Sequence, residues 1–126
     1  MQTRVSQCFT SITTGSYQSV VFDSTLKLQK LATPNFNDVP VEDVSFGTRE
    51  QLALLTRLCL AELLAKEGEK QVVILDDNLV HTDDIRMALA CRLLQDAASK
   101  VQIVIFTCHP ERYKLIPDRR EIAMPR

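Results

Sequence analysis

The chain has 126 residues, a mass of 14.3 kDa and a formal net charge of −1, with 45% hydrophobic and 25% charged residues. That length holds one domain with a modest core, and the near-zero charge excludes the global basic field of a general nucleic-acid binder. No run reaches the ~18 apolar residues of a membrane span, and the polar N-terminus lacks a signal-peptide apolar region, so a cytoplasmic location is expected. Cys8, Cys59, Cys91 and Cys108 form no C-x-x-C pair and read as reduced, buried thiols.

Residues 1–16 are rich in Ser, Thr and Gln, with weak patterning. They read as the frayed end of a helix or a leader into the first strand. Val20-Val21-Phe22, a polar Asp23-Ser24-Thr25 break and the alternating Leu26-Lys27-Leu28-Gln29 predict a β-hairpin. Residues 32–43, with Pro34 and Pro40 among Asn and Asp, predict a loop. Thr48-x-x-Gln51 has the form of a capping box, so a helix is expected from about Arg49 to Lys66, stopping at Gly68. Its middle is apolar nearly all round, which predicts a mostly buried helix.

Gln71–Leu75 and Val101–Phe106 are β-branched runs without alternation, the pattern of strands covered on both faces. Asp83–Ser99 between them predicts a helix, with acids in its first turn and Lys100 past its end, each at the favoured dipole pole. Strand, helix and strand make one βαβ unit, so the two strands should be parallel and the fold class α/β. Pro110 and Pro117 break up the tail. Arg112, Lys114, Arg119, Arg120 and Arg126 there read as a solvated basic bias, with a nucleic-acid contact as the minor alternative.

Ligands of parallel sheets gather beyond the C-terminal strand ends. Asp76-Asp77 close the first strand and Thr107-Cys108-His109 follow the second, so two carboxylates and an imidazole should share one rim. A strand-end carboxylate suits Mg²⁺, a second acid can orient or deprotonate water, and a histidine can hydrogen-bond a terminal phosphate. Asp-Asp after a strand is also a common turn opener. Ser45-Phe46-Gly47 precedes a helix whose free N–H groups favour anions, though Ser45 reads equally as a plain turn residue. His81, Asp83 and Asp84 read as capping and dipole residues at a helix entry, not as a zinc cluster. Cys108-His109 has no second Cys or His at ligand spacing.

Ser45 lies 31 residues before Asp76, and His109 lies 33 after it. In that order and spacing, segment 44–110 resembles the C-terminal lobe of ABC-type ATPases. It looks closest to the coiled-coil branch of SMC proteins, SbcC and YhaN-like ATPases. Ser45-Phe46-Gly47-Thr48-Arg49-Glu50-Gln51 is similar to the signature motif, and Val72-Val73-Ile74-Leu75-Asp76-Asp77 to Walker B. Asn78–Asp83 fills the D-loop position and Thr107-Cys108-His109 the switch-histidine position. The hairpin and loop at 17–43 resemble the strands leading into the signature helix.

The resemblance implies the C-terminal half of a P-loop ABC-type domain at 17–126, with 1–16 a leader or the end of a coiled-coil helix. It implies that Asp76 holds Mg²⁺ through water, that Asp77 takes the catalytic-carboxylate position, and that His109 senses the γ-phosphate. Ser45 and Gly47, with Thr48 and Gln51 of the same motif, would touch nucleotide held by the opposite subunit. Asp83 would cross the dimer interface. Asp77 stands where most of the superfamily has Glu, and Asn78 where Pro is common.

No G-x-x-x-x-G-K-[ST] loop can be written in these 126 residues. The resemblance places that loop in an N-terminal lobe beyond a long coiled coil. The expected function is therefore ATP binding and hydrolysis in trans, with ATP and Mg²⁺ bound only when that lobe is supplied. The isolated chain should be inactive. By the same resemblance the setting is DNA repair or chromosome maintenance, with a nuclease partner, DNA and a homo-oligomer of the isolated lobe. The alternatives are a non-catalytic protein-interaction module and a structural domain without a ligand.

Overall fold

Val5, Cys8, Phe9 and Ile12 recur at helical spacing, and in the computed structural model they form the buried stripe of helix α1 (Gln2–Ile12). Residues 1–25, 27–35, 37–65 and 68–126 are described. Of the two readings of the first residues the helix is the one that forms, and its Phe9 and Ile12 are wholly buried. Each such side chain contributes about 1.5–3 kcal/mol through removal from water. The apolar stripe is thin against its polar neighbours, which is why the sequence alone reads weakly there.

The expected hairpin forms from β1 (Ser19–Phe22) and β2 (Leu28–Ala32), antiparallel with Val20 opposite Leu31. Leu26, predicted within its second strand, lies outside the described residues. The segment expected to be loop adds a third antiparallel strand, β3 (Asp38–Pro40), before a 3-10 turn at Val41–Asp43. Pro40 sits at the end of that edge strand, where a missing N–H costs no ladder bond.

Helix α2 runs Phe46–Leu64 and begins three residues before the expected start. Its N-cap is Ser45, whose oxygen accepts from the Thr48 N–H at 3.2 Å. Thr48 is instead a buried residue of the first turn, and Gln51 does not close a capping box. A serine before an apolar helix outcompetes a threonine three residues inside it, because only the former has extended backbone to spare. The expected C-terminal residue Lys66 lies outside the described residues. The buried side of α2 carries Leu52, Leu54, Leu55, Leu58 and Cys59, while Leu63 and Leu64 stand exposed near its end.

Strand β4 (Val72–Asp76) pairs in parallel with β5 (Gln102–Phe106), joined by α3 (Asp84–Ala97), as the βαβ reading requires. Asp83 caps α3 by accepting from the Arg86 N–H at 3.0 Å. One expectation fails: the pair is covered on one face only. Val73 and Leu75 are buried, whereas Val72, Ile74 and Phe106 are 54%, 56% and 48% exposed. Register places Val72, Ile74 and Asp76 beside Gln102, Val104 and Phe106 on the open face. The β-branched run is what a doubly covered strand needs, and the described residues supply cover for half of it.

Three cysteines are buried (Cys8, Cys59 and Cys91), and all four are free thiols; Cys108 is exposed. No described helix is long and apolar enough to cross a membrane.

Candidate functional site at the strand-end rim

The rim assembles as the parallel pairing requires. Asp76 ends β4 on the open face, and Asp77 turns toward the segment after β5. The Asp77 Oδ1 accepts from the Thr107 hydroxyl at 3.0 Å and from the Cys108 backbone N–H at 3.2 Å. Those bonds, the Cys108 N–H first, hold the Asp77 carboxyl below the usual carboxylate range. Their contribution to stability is present above the unfolded carboxyl value and is lost as pH falls through the depressed folded one. His109 follows, its N–H donating to Thr107 Oγ1 at 2.9 Å and its Nδ1 lying 3.5 Å from Glu111 Oε1. The imidazole is half exposed at the rim.

The turn after β4 is tightly wound. The Asp76 N–H donates to Asn78 Oδ1 at 2.8 Å, and Asp77 and Leu79 have φ of 47° and 68°. Leu79 is fully buried, so a bulky residue is held in the left-handed region at a cost of about 1–3 kcal/mol. Such strain persists only where neighbours enforce it.

The start of α2 packs against the far side of this turn. The Gln51 Nε2 donates to Thr82 Oγ1 at 3.3 Å, both residues being buried, and the Gln51 Oε1 has no donor among the described residues. The His81 N–H reaches Glu50 Oε2 at 3.4 Å, and the Phe46 and His81 rings meet edge to face at 4.9 Å. A Cβ on Gly47 would lie 2.7 Å from the His81 carbonyl oxygen. Gly47→Ala should therefore destabilise the chain by about 1–3 kcal/mol and displace the 78–82 turn. Thermal unfolding checks the first effect and amide chemical shifts the second; an unchanged melting temperature would show that the contact is dispensable.

Each sequence-predicted residue can now be placed. Asp76, Asp77 and His109 lie on one rim. Ser45 and Gly47 lie at the α2 N-terminus, Thr48 and Gln51 are buried behind it, and Asp83 caps α3. Ser45 Oγ is engaged in capping and lies 2.8 Å from Thr48 Oγ1. Glu50, Thr82, Arg112 and Tyr113 also belong to this assembly. Arg112 is not simply a solvated tail cation, since its guanidinium donates to the Leu79 and Thr82 carbonyls. No spacing rule flags such side-chain-to-carbonyl contacts.

For metal, the described residues form no cluster of three or more His, Cys, Asp and Glu ligands. The exposed Asp76 carboxylate at a strand end fits Mg²⁺ in its other mode, with one carboxylate, waters and substrate phosphates.

No family model matches the chain. A protein of Mycobacterium tuberculosis (strain ATCC 25618 / H37Rv) is 37% identical over 94 residues, which are 75% of this chain and 10% of the relative. YhaN of Bacillus subtilis (strain 168) is 33% identical over 103 residues, 80% of this chain and 10% of YhaN. The chain thus spans about a tenth of the length of the curated relatives it matches.

Among solved structures, the Smc head domain of Pyrococcus furiosus, bound to the C-terminal domain of ScpA, superposes with a TM-score of 0.66 at 14% identity. The match covers 84% of this chain and 27% of that one. The SMC head domain of Thermotoga maritima gives 0.60 at 19% identity, over 91% of this chain and 41% of that one. The fold is that of the SMC head domain, and the chain matches part of it.

Proposed function

We propose that the chain is the signature, Walker B and switch-histidine lobe of an ATPase, acting in trans with a phosphate-loop lobe. The observation that carries this reading is the rim: Asp76, Asp77 and His109 converge beside a sheet face whose Val72, Ile74 and Phe106 lack cover. A second lobe seated there would bury that face and bring a phosphate loop to the rim. Asp76 would hold Mg²⁺, which neutralises charge on the phosphates of ATP.

Asp77 would orient the attacking water through its second oxygen. His109 would hydrogen-bond the terminal phosphate. The α2 N-terminus, with Ser45 and Gly47, would face nucleotide on the opposite subunit, where free N–H groups favour anions. Asp83 would lie at the junction between subunits. Thr48 and Gln51 act behind this surface, as packing for the α2 start and the 78–82 turn. DNA repair or chromosome maintenance, with DNA and a nuclease partner, is the setting this reading implies.

The test is ATP turnover by the chain with and without a phosphate-loop lobe taken from a longer relative. The chain alone should show no Mg²⁺-dependent hydrolysis, because nothing grips the β-phosphate and positioning is most of phosphoryl-transfer catalysis. The combined lobes should hydrolyse ATP. Turnover by the chain alone that vanishes in Asp76→Ala and Asp77→Ala would overturn the half-site reading.

A further inference from the structure

His109 is the N-cap of a short 3-10 helix, Pro110–Tyr113, and the last two residues of that helix reach back to the turn after β4. The Tyr113 hydroxyl donates to the Asn78 carbonyl at 2.8 Å. One Arg112 nitrogen donates to the Leu79 carbonyl at 3.0 Å and also to the Thr82 carbonyl. Three carbonyls of one short turn are thus gripped by two side chains of the element that begins at His109. The turn is the one that holds Leu79 at positive φ, so something must enforce its shape.

Both donors suit a fixed attachment. Tyr113 is buried, and burial pushes its phenol up to about 12, which keeps it a donor at neutral pH. Arg112 offers a planar guanidinium that can serve two acceptors at once, which a lysine ammonium cannot do with the same geometry. On its other side the same turn meets α2 through Gln51–Thr82, Glu50–His81 and the close approach of Gly47 to the His81 carbonyl. A continuous set of contacts therefore runs from His109 through the turn to the start of α2.

We propose that Arg112 and Tyr113 are positioning residues forming a clasp that makes His109 and the 78–82 turn move together. Displacement of His109 by a terminal phosphate is then carried to Asp83 and to the Ser45–Gly47 surface. The phosphate step rests on the ATPase reading above. The mechanical linkage does not, and it can be measured in the chain alone.

The measurement is amide chemical shift and hydrogen exchange of Leu79, Val80, His81 and Thr82 in the ¹⁵N-labelled chain. His109→Ala should shift these amides and speed their exchange by about threefold or more. In an Arg112→Lys background, and in the milder Tyr113→Phe background, the His109→Ala effect should shrink to near zero. No response in the otherwise unaltered chain, or an equal response in both clasp variants, overturns the clasp. With a phosphate-loop lobe supplied, Tyr113→Phe should lower kcat for ATP while leaving KM unchanged; an unchanged kcat would also overturn it. Absence of any turnover by the unaltered combined lobes would sink the ATPase reading, leaving the amide experiment to decide the clasp.

Discussion

Asp77→Asn, in the chain combined with a phosphate-loop lobe, is expected to cut ATP turnover by about 100-fold or more while leaving nucleotide affinity nearly unchanged. The amide is almost isosteric with the carboxylate. It can still accept from the Cys108 N–H and the Thr107 hydroxyl through its oxygen, so the rim should keep its shape. What it loses is the negative charge proposed to orient the attacking water. The loss should therefore fall on kcat, since in the proposed role the carboxylate acts on the transition state and not on the grip of ATP. Steady-state turnover with equilibrium binding of labelled ATP separates the two. An unchanged rate would move the water-orienting role to another group.

The second large effect concerns assembly. Val72, Ile74 and Phe106 form an apolar strip on the open face of β4 and β5, and Leu63 and Leu64 are exposed as well. Among the described residues β4 pairs only with β5, which leaves a free edge on each strand. Bare faces and free edges recruit other chains. The isolated chain is expected to form a dimer or larger oligomer with a total interface above about 1,200 Å². Light scattering at micromolar concentration should give a mass of at least twice 14.3 kDa. Ile74→Lys with Val72→Lys should return it to the monomer mass, by placing charge where burial would need it unpaired. A monomer in the unsubstituted chain would mean that the open face tolerates water.

Local patterning and long-range packing were legible to different degrees. The βαβ unit could be read because β4, α3 and β5 each carry their own signals: β-branched runs, an acidic first turn and a lysine beyond the helix end. Its one-sided cover could not be read, since a β-branched run is the same whether one face of the strand is covered or both. Helix α1 was legible only as one of two alternatives, because four apolar residues in an otherwise polar stretch make a weak pattern. At the site, the shared rim of Asp76, Asp77 and His109 followed from the strand ends, and the roles expected of them only from the resemblance. Arg112 and Tyr113 did not, because their partners are backbone carbonyls some thirty residues away, and a carbonyl leaves no mark in sequence. Ser45 is legible as a motif residue but not as the helix cap, although the two roles use the same place at a helix start.

The most direct test of trans action is turnover after mixing two differently disabled heads, each the chain combined with a phosphate-loop lobe. One carries Asp77→Asn, which stops hydrolysis at its own rim. The other carries Ser45→Arg, whose bulk should block the surface proposed to face the opposite subunit. Neither should hydrolyse ATP alone. In the mixed dimer one composite site joins an intact Asp77 rim to an intact Ser45 surface, so mixing should restore a clear fraction of the unaltered rate. No recovery on mixing, with mixed dimers demonstrably formed, would contradict a site shared between two subunits.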